Sequence, residues 1–296
     1  MGPYAHKGAK QTVIAVVVPT IRKKQYRSFL EAWDRQFKEW GVTLITVWDG
    51  DTPRLTVNGK AVKYPKELMK LVFNKNDGVR NLGFWYIAKH LPNIEYILTL
   101  DDDVAPLHDT IGEHLEALQK SYPVSWFSHT SEYVRGFPYG VREEAEAVLS
   151  HGIWEGVKDW DAPTQLVTGN EARNLDFYIG AIPKGANYTM CGMNIAFKRK
   201  LLPYMYFAPM GHRVGIDRFA DIWLGIESKK IIDAKGWAVV TGYASVYHTR
   251  ASNVWKNLQK EARGLEMNEF YGKDNYFKLY KQKRLEWQKL LQKYLS

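Results

Sequence analysis

Residues 12–19, TVIAVVVP, form an unbroken run of apolar and β-branched side chains with no alternation of polar ones. A strand of that kind has both faces in the interior, which implies a sheet covered by helices on its two sides. The segments that follow fit this pattern. Residues 26–40 carry Phe29, Leu30, Trp33, Phe37 and Trp40 at helical spacing. Residues 42–48 read as a second strand, 78–90 as a helix and 94–100 as a third strand. Strands alternating with helices predict parallel neighbours joined by right-handed crossovers. With 296 residues, 45% of them hydrophobic, the chain can bury one large α/β core or two small ones.

The strand at 94–100 ends in three consecutive carboxylates, Asp101, Asp102 and Asp103. Like charges at the end of a buried strand cost stability unless a cation or hydrogen bonds compensate them. Open α/β sheets take their ligands outside the carboxyl ends of their strands, where this cluster falls. The simplest chemistry it serves is a hard divalent cation holding the phosphates of a nucleotide. An Asp-x-Asp at a strand end has that role in nucleotide-sugar transferases, and a solvated acidic turn is the competing reading. Thr20 and Arg22 after the first strand, and Asp49 and Asp51 after the second, line the same edge. Asp77 and Arg80 precede or open the next helix, whose N-terminus favours an anion. Each of these is equally suited to a cap or a turn. No G-x-G-x-x-G follows the first strand, so neither a flavin nor a nicotinamide is expected.

Composition narrows the partners. A lone cysteine, Cys191, excludes an intramolecular disulfide and a Cys-rich metal site. The net charge of +9 suits an anionic partner, whether nucleotide, nucleic acid or membrane surface. There is no stretch of 18 apolar residues and no apolar signal core at the start, so a cytoplasmic protein is expected.

The second half is less regular. In residues 133–142 (YVRGFPYGVR) two glycines and a proline enforce a loop bearing Arg135 and Arg142. Residues 151–166 are rich in Trp and Asp, and Asp159 and Asp161 are candidates to grip sugar hydroxyls. Residues 190–197 (MCGMNIAF) read as a buried strand, 218–225 place Asp221 in an apolar segment, and 242–253 lead to His248 and Arg250.

Taken in order, VPTIR (18–22), DGD (49–51), LDDD (100–103), YVRGFPYGVRE (133–143), SHGIW (150–154), DAPTQL (161–166), IPKG (182–185), MCGMNIAF (190–197) and HTRASN (248–253) make a combined signature. The chain thereby resembles the plant reversibly glycosylated polypeptides, which are UDP-arabinopyranose mutases with a GT-A-type nucleotide-sugar fold. The likeness spans about residues 13–272. Three positions depart from it: Ala220 stands where a second acid usually precedes Asp221, Arg250 where Lys is usual, and Val104 where Cys is usual.

The resemblance implies a GT-A-like α/β domain over 1–272, with a mixed, mostly parallel sheet flanked by helices; the basic C-terminal helix expected over 273–296 has no counterpart in it. It implies Asp101, Asp103 and His248 as ligands of Mn²⁺ or Mg²⁺, with no flavin. Asp102 is then a supporting acid and Arg250 a phosphate ligand. It implies Arg135 as the arginine that reversibly accepts the sugar, Arg142 as a second arginine needed for activity, and Asp221 as an acid that orients hydroxyls or acts as base. Phosphate clamping remains the competing role for both arginines. The activity implied is interconversion of the pyranose and furanose forms of a UDP-sugar. The alternative is a glycosyltransferase delivering the sugar to an external acceptor such as a polysaccharide or nucleic acid. A homo-oligomer is expected. Residues 278–296 carry six Lys/Arg against one Glu, with Tyr280, Trp287, Leu291 and Tyr294 at helical spacing. That helix suits docking on its own body, on a sister subunit, or on an anionic surface.

Overall fold

The computed structural model describes residues 13–126, 133–142, 144–169, 178–249 and 252–295. Its strands are β1 (Ile14–Thr20), β2 (Thr43–Trp48), β3 (Arg54–Val57), β4 (Lys60–Val62), β5 (Tyr96–Leu100), β6 (Val104–Pro106), β7 (Ser121–Pro123), β8 (Glu144–Gly156), β9 (Gly180–Ala181), β10 (Asn194–Lys198) and β11 (Trp237–His248). Its α-helices are α1 (Lys23–Glu39), α2 (Arg80–His90), α3 (Thr110–Gln119), α4 (Ala162–Thr168), α5 (Ala220–Ala234), α6 (Val254–Glu269) and α7 (Tyr276–Leu295).

One sheet runs through the molecule in the order β4-β3-β2-β1-β5-β10-β8-β11-β6. β1 pairs in parallel with β2 and β5, and β8 in parallel with β11. β10 is wedged antiparallel between β5 and β8, so β1, β2, β5, β8 and β11 all point one way. The central sheet is therefore mixed and mostly parallel, with helices on both faces.

The apolar run of β1 does what its composition predicts. Ala15 and Val17 join one core, with α2, α5 and α7, while Ile14, Val16 and Val18 join the other, with α1 and α3. Adjacent strand residues point to opposite faces, so an all-apolar strand is the one that can satisfy two cores. α1 turns Tyr26, Phe29 and Trp33 inward at helical spacing. Two boundaries differ from the sequence reading. Residues 190–193 are not strand, because β10 starts only at Asn194; the segment before it turns across the strand ends. β8 is longer than any strand read from the sequence, beginning at Glu144, where acids alternate with alanines. Gly152 lets it pass Asn194, since a Cβ there would lie 2.0 Å from the Asn194 side-chain nitrogen.

α7 closes the first core. Trp287 and Leu291 are fully buried, and the Tyr276 hydroxyl donates to Pro209 O at 2.7 Å. Lys278, Lys281, Lys289 and Lys293 are exposed on the other face, while Arg284 is mostly buried and pairs with Glu227 of α5. Among the described residues no helix is long and apolar enough to cross a membrane.

Candidate active site

The parallel strands deliver their C-terminal ends to one edge, and most of the predicted residues meet there. β5 ends at Leu100, so Asp101, Asp102 and Asp103 turn across this edge. Asp102 is buried and doubly held. Thr20 Oγ1 donates to its Oδ2 at 2.5 Å, and Arg22 pairs with both of its oxygens. Arg22 also reaches Asp103 Oδ2 at 3.0 Å. Asp102 is thus the structural carboxylate that fastens β1 to β5. Arg80, 1% exposed, lies beneath the edge, where it pairs with Asp101 and donates to Thr99 Oγ1 at 3.1 Å. Burial pushes the Asp101 carboxyl up, Asp103, Asp77 and Asp102 add to this, and Arg80 opposes it.

β11 brings His248 to the same place. Its Nδ1 lies 2.8 Å from Val157 O, an atom that only accepts, so Nδ1 carries the hydrogen. Nε2, which holds the lone pair in the neutral ring, faces Asp103 Oδ1 4.0 Å away. The Thr249 backbone and hydroxyl both donate to Asp103 O, at 3.0 and 2.9 Å, which fixes this juxtaposition. Among the described residues no three His, Cys, Asp or Glu side chains converge as a metal cage. Asp101, expected among the cation ligands, pairs with Arg80 through Oδ1.

Asp221 sits in the first turn of α5. Gly192 N donates to its Oδ2 at 2.8 Å, and burial, with Asp77 and Asp159 nearby, raises its carboxyl to about 7. Asp49 Oδ1 accepts from the Gly50 and Lys75 amides at 2.8 Å, and burial pushes it up. Asp51 is pulled down by its ion pair with Lys75. Asp77 opens a 3-10 turn that leads into α2.

The sequence reading named Asp159 for sugar hydroxyls but missed the layer it forms with Cys191, His151 and Arg218. Cys191 Sγ donates to Asp159 Oδ2 at 3.2 Å, and the Cys191 amide donates to His151 Nε2 at 3.1 Å. Burial holds the His151 imidazole neutral, down at about 4, and the buried Tyr188 hydroxyl nearby has no partner among the described residues. Arg218 bridges Asp159 and the buried Glu261 from a left-handed backbone, φ 67°. The MCGMN string was the available signal, since its Cys191 and Gly192 supply both contacts. Asp161 is the N-cap of α4, its Oδ1 accepting from Thr164 N at 3.0 Å, and takes no part in the cluster.

Arg135 and Arg142 lie elsewhere. The 133–142 loop precedes β8, whose first residues pair with β7 at the opposite end of the sheet, level with the start of β11. Tyr133 donates to Glu144 Oε1 at 3.1 Å, and the Arg142 guanidinium stacks 3.8 Å from the Tyr139 ring centroid. Arg135 is exposed at a turn. Arg250 lies outside the described residues.

The profile of the reversibly glycosylated polypeptide family matches residues 9–281. This chain belongs to that family. A relative from Pisum sativum, named probable UDP-arabinopyranose mutase 1, is 36% identical over 282 residues, covering 84% of this chain and 73% of its own. UDP-arabinopyranose mutase 3 of Arabidopsis thaliana is 36% identical over 283 residues, covering 84% and 74%. Among solved structures, the catalytic domain of Drosophila β1,4-galactosyltransferase 7, complexed with xylobiose, superposes with a TM-score of 0.42 at 12% identity, over 80% of this chain and 71% of that one. Likeness at that distance decides nothing about chemistry.

Proposed function

We propose that this member of the family is a metal-dependent, flavin-free UDP-sugar mutase. It interconverts the pyranose and furanose forms of arabinose on UDP, and the sugar rests on an arginine while UDP is away. The observation that carries the reading is the pair Asp103 and His248: a carboxylate oxygen and an imidazole nitrogen face each other at 4.0 Å, with the ring fixed from behind by Val157 O. Such a donor pair fits a divalent cation, Mn²⁺ better than Mg²⁺ because one donor is nitrogen. When bound, the cation supplies the positive charge that makes a diphosphate a better leaving group.

The chain's own residues supply the rest. Arg22 Nη1 and Arg80 Nε are buried without a partner among the described residues, and both suit phosphate oxygens. Arg250 is assigned to the phosphates as well, and Asp49, Asp51 and Asp77 to the nucleoside. Asp221, oriented by the Gly192 amide and titrating near neutrality, takes and returns a proton. Arg135 is the sugar acceptor, and Arg142 supports it.

Incubation with UDP-arabinopyranose and Mn²⁺, followed by chromatography, should yield the furanose form. Asp103→Ala and His248→Ala should each lower turnover by about a hundredfold or more. Full activity of Asp103→Ala in chelator overturns the metal assignment. Sugar found only on an added acceptor, with no furanose form, makes the protein a glycosyltransferase instead.

A further inference from the structure

The two halves of this chemistry lie at opposite ends of one sheet. Asp101, Asp103, His248 and Asp221 stand where the parallel strands finish. Gly156, the last residue of β8, pairs there with His248. Glu144, the first, pairs with Pro123 at the far end, and the 133–142 loop is tied to it through Tyr133. The 13 residues of β8 between these points measure roughly 40 Å of strand. An arginine side chain spans only a small part of that length. Within one subunit the Arg135 guanidinium and the strand-end carboxylates do not meet.

The loop end is open to solvent: Arg135 and Glu144 are exposed, and Tyr139 is 84% exposed and stacked on Arg142. The strand-end edge carries Asp51, Asp77, Asp101 and Asp159, which are paired with Lys75, Arg80 and Arg218. An acceptor arginine out of reach of these carboxylates in its own subunit can meet them only on a second copy, in a head-to-tail contact.

We propose that the Arg135 loop of one subunit docks on the strand-end edge of a second copy, so that the sugar passes between subunits. The inference rests on the arginine-acceptor reading above. In the step, the bond from the anomeric carbon to the diphosphate oxygen breaks and its electron pair leaves with UDP. A guanidinium nitrogen forms the new carbon–nitrogen bond, and the proton it gives up goes to Asp221 of the receiving subunit. Attack by the diphosphate reverses each of these changes.

Complementation between two full-length variants tests this. Arg135→Lys removes the acceptor but keeps the carboxylates, and Asp103→Ala does the opposite. With radiolabelled UDP-arabinopyranose and Mn²⁺, neither variant alone should take up label. Co-expressed with distinguishable tags, they should place label on the Asp103→Ala subunits at least tenfold above either alone. Wild-type labelling per subunit should also fall on dilution. Label on wild type but on neither subunit of the mixture, at a rate indifferent to dilution, overturns transfer between subunits and leaves the acceptor reading standing. Absence of label on wild type removes the acceptor reading, and this inference with it.

Discussion

Two pairs of arginines occupy the two ends of the sheet, and they differ in almost every physical respect. Arg22 and Arg80 are packed among Asp101, Asp102 and Asp103, with Arg80 buried and Arg22 half-buried. Arg135 is exposed at a turn, and Arg142 is held by two tyrosine rings and by Phe137 O. The first pair are counter-charges that allow a strand to end in carboxylates. Among the described residues neither of the second pair is ion-paired with a carboxylate, and Arg135 is open to solvent. Charge alone does not separate these roles; burial and partners do.

The largest effect expected is on stability at the buried pair. Arg80→Met leaves Asp101 without its counter-charge and should cost about 3–5 kcal/mol in denaturant unfolding. Wild-type stability in this variant would mean that the carboxylates are compensated otherwise. A smaller effect is expected of pH at the same end. Asp221 is held at about 7 against an ordinary 3.8, so the folded protein keeps a proton that the unfolded chain has already lost. This contribution is fully present below about pH 4 and disappears as pH rises through about 7. Asp221→Asn should flatten that fall and raise stability at neutral pH, and melting curves across this window check it. The smallest effect is at the far end. Arg135→Met should stay within about 0.5 kcal/mol of wild type, since an exposed side chain contributes little to stability. A loss comparable to that of Arg80→Met would erase the distinction between the two pairs.

Much of the fold is legible locally. β1, β2 and β5 are apolar runs, and α1 carries its stripe at helical spacing, so each element declares itself within about ten residues. β8 does not. Its first half alternates small and acidic residues and its middle holds His151 and Gly152, which pack only because Asn194 and β11 lie alongside. The insertion of β10 between β5 and β8 is likewise a long-range pairing that no local pattern encodes. At the site, the carboxylates were readable because strand ends gather ligands in this architecture. The engagement of Asp102 by Arg22 spans eighty positions of chain and was not. The distance between the 133–142 loop and the strand ends was also hidden, because it depends on the full length and direction of β8.

The docking of α7 has a consequence for how the chain is made. Trp287 Nε1 donates to Leu202 O, and the Tyr280 hydroxyl to Tyr206 O, so the wall behind the 199–207 segment is supplied from the last part of the sequence. While synthesis proceeds, every strand of the sheet emerges before that wall does. Leu202 and Tyr206 therefore face water, or a chaperone, until residue 291 has left the ribosome. Strand pairing can begin early, but the interior of the first core is sealed only once α7 has emerged.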